Sequence, residues 1–285
     1  MQAQFREDSA VKILVLSDIH LELGISLTLP PSLTADSYDV ALLAGDIHSP
    51  GHKAVYWAQR GSTFGGKPAL LVPGNHEFYG RLMPTELAEM KQAAAGSNVH
   101  LLDRDCVIID GARFLGCILW TDFQLPVRQP WGGLEVDVGR ALSEANRCMN
   151  DFRRIEVLSP SRNRPRFPER TRQLQASDAL AMHWTDRDWL RRQLAQPFSG
   201  LTVVVMGRLC GGHEALHGPI SWVLALALCP AMRKSPPVVS NQYGKWRPKV
   251  PKGALDLHLF DNLANLVGAT ALSIAVGDAK CQTET

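Results

Sequence analysis

No Cys-x-x-Cys pair occurs among the six cysteines, which stand far apart at 106, 117, 148, 210, 229 and 281. That spacing argues against a cysteine zinc site and against a disulfide framework. Long apolar runs are also missing. The longest, Ile220 to Cys229, is about half of a membrane span, so no membrane association is expected. The opening MQAQFREDSA lacks the apolar stretch of a secretion signal, and a reducing cytoplasm is the expected setting. Neither sign of charge dominates: 30 Lys and Arg against 28 Asp and Glu leave a net charge of +2. No general attraction to nucleic acid or anionic membrane follows. The chain has no Gly-x-Ser-x-Gly elbow for a serine nucleophile and no Walker loop for a nucleotide.

What the chain does have is 285 residues, 45% of them hydrophobic, enough to bury a proper core. Val11 to Leu16 is aliphatic apart from Lys12, the composition of a strand buried on both faces of a parallel sheet. It stops at Ser17-Asp18-Ile19-His20. In extended backbone Asp18 and His20 point to one side, a carboxylate and an imidazole together at the carboxyl end of a strand, where open α/β sheets bind ligands. Oxygen beside nitrogen suits a divalent transition metal. Two further apolar runs end in the same way: Tyr38 to Ala44 runs into Gly45-Asp46-Ile47-His48, and Pro68 to Val72 into Pro73-Gly74-Asn75-His76-Glu77.

Between these runs, residues 51 to 60 and Thr85 to Ala95 read as helices. The order strand, helix, strand, helix, strand predicts right-handed βαβ units and a parallel sheet. Asp46 follows Asp18 by 28 residues, and Asn75 follows Asp46 by 29. Each interval is one strand plus one crossover, so the three polar clusters should emerge on one sheet edge.

From about residue 99 the texture changes. Cys106 to Ile109 and Arg113 to Trp120 flank Asp110-Gly111-Ala112, a hairpin signal. Residues 135 to 150 read as a helix, and Ser177 is expected to cap another, reaching Gln196. Leu201 to Val205 is a further buried strand. The stretch Ser159 to Arg172 holds five arginines; a solvated surface loop is the favoured reading, with nucleic-acid contact possible but not indicated. Residues 230 to 252 are proline-rich and read as linker.

The three clusters in this order and spacing resemble the calcineurin-like metallophosphoesterase superfamily, whose motifs run Asp-x-His, Gly-Asp and Gly-Asn-His-Asp/Glu. The segments LWTDF (119 to 123) and MNDFRRI (149 to 155) are similar to a small bacterial branch of it, so the resemblance covers about residues 11 to 205. It implies an α/β fold of two packed mixed β-sheets flanked by helices, in four layers αββα. It also implies two divalent metal ions (Mn, Fe or Zn). Asp18 and His20 would hold one, Asp46 would bridge, and Asn75 would hold the second. His76 would act on the leaving oxygen or the phosphoryl group, with Glu77 orienting it. The activity implied is hydrolysis of a phosphate mono- or diester by a metal-bridging hydroxide; the alternative is a catalytically inactive scaffold or binding protein. His48, His52 and His183 match no ligand position and are expected to be ordinary loop or packed histidines.

Beyond Val205 the resemblance lapses. A ligand histidine should follow the strand, but Met206-Gly207-Arg208 follows instead, and no Gly-His-x-His appears. His213 and His217, four apart, are the nearest substitutes. The chain is therefore divided into a metallophosphoesterase domain over 1–205 and an atypical segment over 206–285. Such an abrupt break is what a shifted reading frame produces, and reading the gene in its other two frames for the two lost motifs tests that idea.

Overall fold

The computed structural model describes residues 11–24, 26–28, 34–124, 126–128, 131–159, 170–209, 222–228, 238–239 and 280–282. His213, His217 and His258, most of the arginine-rich stretch and nearly all of 230–252 lie outside the described residues.

The three aliphatic runs form strands β1 (Ile13–Leu16), β2 (Val40–Ala44) and β3 (Ala69–Val72), joined by β4 (Val99–Leu101) in a parallel sheet of order β1-β2-β3-β4. The register sets Ile13 beside Val40 and Ala41 beside Ala69. Both faces are covered, which explains why the runs are continuously apolar instead of alternating. Leu14, Leu16, Ala41, Leu43, Ala69 and Leu71 face helices α1 (Gly51–Ala58) and α2 (Met83–Ala94), meeting Ala54, Val55 and Met90. The alternate residues, Ile13, Val15, Val40, Leu42, Leu70 and Val72, face inward. Each fully buried aliphatic side chain contributes on the order of 1.5–3 kcal/mol.

The inward face meets a second sheet. Its strands are β5 (Asp105–Ile109), β6 (Ala112–Cys117), β7 (Thr202–Leu209), β8 (Trp222–Leu228) and β9 (Val238–Val239), in the order β9-β8-β7-β6-β5. The β5–β6 hairpin closes across Asp110 and Gly111, with Ile109 opposite Ala112. Both turn residues have positive φ, 46° and 78°, the backbone that a two-residue Asp-Gly hairpin demands. Strand β7 runs parallel to β6, Val203 beside Phe114, and antiparallel to β8. It continues to Leu209, past the expected end at Val205, so residue 206 falls inside a strand.

Phe114, Val203 and Val205 pack between the sheets, while Leu115, Val204 and Met206 turn outward against Leu190. Leu190 belongs to the long helix α4 (Ala176–Leu194). The layers are thus helix, sheet, sheet, helix, the mixed α/β architecture that the resemblance implies. One expected cap differs. Gln175, not Ser177, caps α4 in a reciprocal capping box with Asp178, because Asp178 stands at the third helical position, where its carboxylate reaches back to the Gln175 N–H. Helix α3 (Val138–Cys148) starts where Asp137 accepts the Arg140 N–H at 2.9 Å. The short strands Arg81–Leu82, Ile155–Leu158 and Thr171–Gln173 form a small sheet that contacts α2.

Among the described residues no helix is long and apolar enough to cross a membrane.

Candidate metal centre

The carboxyl ends of β1, β2 and β3 lie side by side, and the loops leaving them are stitched together by backbone. Asp18 N–H donates to the Gly45 carbonyl at 3.1 Å, His20 N–H to the Asp46 carbonyl at 3.1 Å, and Gly45 N–H to the Val72 carbonyl at 2.9 Å. The loops are not extended, contrary to the spacing argument. Asp18, His20 and Asp46 have φ of 50°, 51° and 56°, the left-handed region that costs a non-glycine residue roughly 1–2 kcal/mol. Side chains two apart converge here because the chain turns, not because it runs straight. Such outliers gather where surrounding structure holds a site in place.

The result is a compact donor set. One ligand atom each from Asp18, His20 and Asp46 lies within 4.8 Å of the other two. Asp46 also reaches the third cluster: its Oδ1 accepts the His76 N–H at 3.0 Å, and a Cβ on Gly74 would run into that same oxygen. Gly74 is thus demanded by close approach. Asn75, between Gly74 and His76, is 3% exposed. Its Oδ1 is buried with no hydrogen-bond partner among the described residues, the behaviour of an oxygen awaiting a ligand. The two carboxylates and the imidazole of this set suit a hard or borderline divalent cation.

Glu77 plays a different part from the one expected. Instead of turning to the His76 ring, its carboxylate accepts four backbone N–H groups, from Gly74 at 2.8 Å, Asp46 at 2.9 Å, Ile47 at 2.7 Å and His48 at 3.3 Å. It is fully buried, and that burial with the Asp46 charge pushes its carboxyl up to about 7, against the pull of the N–H donors. The carboxylate facing His76 is Glu22. Its Oε1 accepts from His76 Nδ1 at 3.3 Å and from His20 Nδ1 at 3.2 Å, and its Oε2 accepts the Ser49 N–H at 3.2 Å. An ionised carboxylate only accepts, so each ring carries a proton on Nδ1, and Nε2 is the nitrogen left to meet a cation or substrate. The two rings meet edge to face, centroids 4.4 Å apart. Burial alone would lower the His20 pKa; the Glu22 hydrogen bond and the charges of Asp46, Glu22 and Asp18 outweigh it and raise it to about 9. The same two histidines hold Glu22 well below the usual carboxylate range despite its burial.

Sequence reasoning passed over Glu22, Tyr79 and Asp151. Glu22 stands two residues beyond His20, a signal available in the same motif. Asp151 lies in the MNDFRRI segment, but nothing in that segment ties it to Asn75, 76 residues away, to which it hydrogen-bonds. Three further histidines are engaged elsewhere: His48 Nδ1 with the Ser49 carbonyl at 2.8 Å, His52 with Glu86 at 2.9 Å, and His183 with the Trp120 carbonyl.

The family model described as calcineurin-like phosphoesterase matches residues 11–111. The match takes in β1 to β4, the hairpin turn after β5 and all three polar clusters. A search of curated proteins returns no match.

Proposed function

We propose that the chain is a metal-dependent phosphoesterase, hydrolysing a phosphate mono- or diester at the edge where β1, β2 and β3 end. The calcineurin-like phosphoesterase match over residues 11–111 supports the reaction class. The observation that carries the reading is the convergence of Asp18, His20 and Asp46 within 4.8 Å. In this reading those three hold one divalent ion (Mn, Fe or Zn), and Asp46 with Asn75 holds a second. Bound divalent cations supply an activated water and neutralise charge on phosphoryl oxygens. The chain's own residues do the rest. Glu77 fixes the Asp46 and Gly74 backbones, so the ligand loops are set before substrate arrives. His76 is the group assigned to the leaving oxygen or the phosphoryl group: its side chain is 26% exposed, and Glu22 holds its Nδ1 proton, so Nε2 is the nitrogen offered to substrate. The reading extends to residues 1–205 as the catalytic unit and to a cytoplasmic setting, which the unpaired Cys106, Cys117 and Cys148 fit.

A second reading, a binding scaffold without catalysis, draws on one observation. Strand β7 reaches the site with Gly207, which has no side chain to give where the resemblance calls for a histidine. Metal content and hydrolysis of a chromogenic phosphodiester with added Mn²⁺ separate the two. Turnover in the wild type that is lost in Asp46→Ala supports the enzyme. Absence of both metal and turnover supports the scaffold.

A further inference from the structure

An amide ligand has a problem that a carboxylate lacks: only one of its two ends can bind a cation. Asn75 must therefore be held the right way round. Beneath it lie two side chains from outside the three clusters. Asn75 Nδ2 donates to Asp151 Oδ1 at 2.6 Å and to the Tyr79 hydroxyl at 3.0 Å. The Tyr79 hydroxyl in turn donates to the same Asp151 oxygen at 2.6 Å. Asp151 is 1% exposed and opens the one-turn helix Asp151–Arg154. Asp151 Oδ1 is the acceptor in both of its bonds, so it meets the NH₂ end of the amide. The carbonyl end is thereby turned away, and that end is the buried Oδ1 without a hydrogen-bond partner among the described residues. Leaving such an acceptor unmet is unfavourable, and a cation at Oδ1 removes that penalty.

We propose that Asp151, seconded by Tyr79, is a positioning residue that fixes the Asn75 amide with its carbonyl facing the second cation. This rests on the proposed function, since it presumes that Asn75 is a ligand. Tyr79 adds a second link: its ring lies 4.3 Å from that of His76, tilted by 31°, so one tyrosine braces both the ligand and the neighbouring imidazole.

The alternative is that Asp151 merely pins the 149–155 segment to the core. A reciprocal exchange separates the two. Asp151→Asn replaces an acceptor by a group that can present either end, so orientation is lost; Mn²⁺ affinity, read by calorimetry and by the paramagnetic resonance signal of free Mn²⁺, should fall about 10- to 100-fold. Adding Asn75→Asp to that variant supplies a ligand with two equivalent oxygens and restores an amide–carboxylate pair, so most of the lost affinity should return. In metal-free protein the Asn75 side-chain NH₂ protons should exchange slowly in the wild type and quickly in Asp151→Asn.

Unchanged Mn²⁺ affinity in Asp151→Asn overturns the proposal. So does a loss that the double variant does not repair, since that is the mark of a purely structural role. If Asp151→Asn does not fold, Tyr79→Phe replaces it: weaker Mn²⁺ binding with an unchanged melting temperature in EDTA supports the proposal, and unchanged binding overturns it. A wild type that takes up no Mn²⁺ overturns the proposed function itself and this inference with it, and that failure shows before any variant is made.

Discussion

Glu77 Oε1 accepts the Ile47 N–H at 2.7 Å across an interval of 30 residues, tying the loop after β3 to the loop after β2. With Gly74, Asp46 and His48 it makes one buried carboxylate the hub of the site's backbone. Glu77→Ala strands four buried or half-buried N–H donors at once. An unmet donor costs about 1–3 kcal/mol, so urea unfolding of metal-free protein should show a loss of at least about 3 kcal/mol. Glu77→Gln keeps one acceptor oxygen and should lose less. A variant within experimental error of wild type would show that water replaces the carboxylate freely.

His20 gives a pH dependence with a definite sign. Its folded pKa is raised to about 9 from an ordinary 6.5, so the folded chain binds this proton more tightly than the unfolded chain. The stability it contributes is complete below pH 6.5 and is lost as pH rises through 9. Metal-free protein should therefore melt at progressively lower temperature across that window. Glu22→Gln, which removes the main raising influence, should flatten the slope. Proton and cation compete for His20, so Mn²⁺ affinity should climb over the same window. A flat melting profile from pH 6.5 to 9 would contradict the assigned cause.

The parallel sheet was legible because its strands are buried on both faces, and a run such as Val40–Ala44 has no other stable home. That the segments carrying Asp18, Asp46 and Asn75 meet on one sheet edge was legible because each closely follows such a run. What escaped was everything that depends on tertiary contact or on backbone bending. The left-handed turns at Asp18 and Asp46 cannot be seen in residue types that tolerate several conformations. Adjacency in sequence pairs Glu77 with His76, yet a short 3₁₀ turn, His76–Phe78, sends its side chain back to the loop of β2. Asp151 is brought to Asn75 only by the packing of the 149–155 segment.

Away from the site, Asp186 is a test of buried charge. It is 2% exposed, and it accepts Arg104 Nη1 at 2.7 Å and the Leu119 N–H at 2.9 Å, pinning α4 to the chain leaving β6. Burial already pushes its carboxyl above the usual range. Arg104→Met removes the countercharge and should cost about 2 kcal/mol at pH 7, less than the roughly 3–5 kcal/mol of a fully buried pair because Arg104 itself is partly exposed. The cost should shrink as pH falls, since the raised pKa lets Asp186 protonate and shed its charge. A destabilisation independent of pH would place the effect in lost packing of the arginine stem.

The end of β7 decides how many cations bind tightly. A Cβ on Gly207 would run into the Pro73 carbonyl, and one on Gly45 into the Gly207 carbonyl. Bare backbone therefore wedges between the two ligand loops, and no side chain fits at residue 207 without moving them. In the proposed site this leaves the first cation Asp18, His20 and Asp46, and the second only Asp46 and Asn75 among the described residues. Two ligands hold a transition metal poorly against water, so Mn²⁺ titration should show one tight equivalent and one much weaker. Gly207→His should lower the melting temperature and should not create a second tight site, because the clash precedes any ligation. Two tight equivalents in the wild type, falling to one when His213 and His217 are both changed to alanine, would instead assign the lost ligands to that segment.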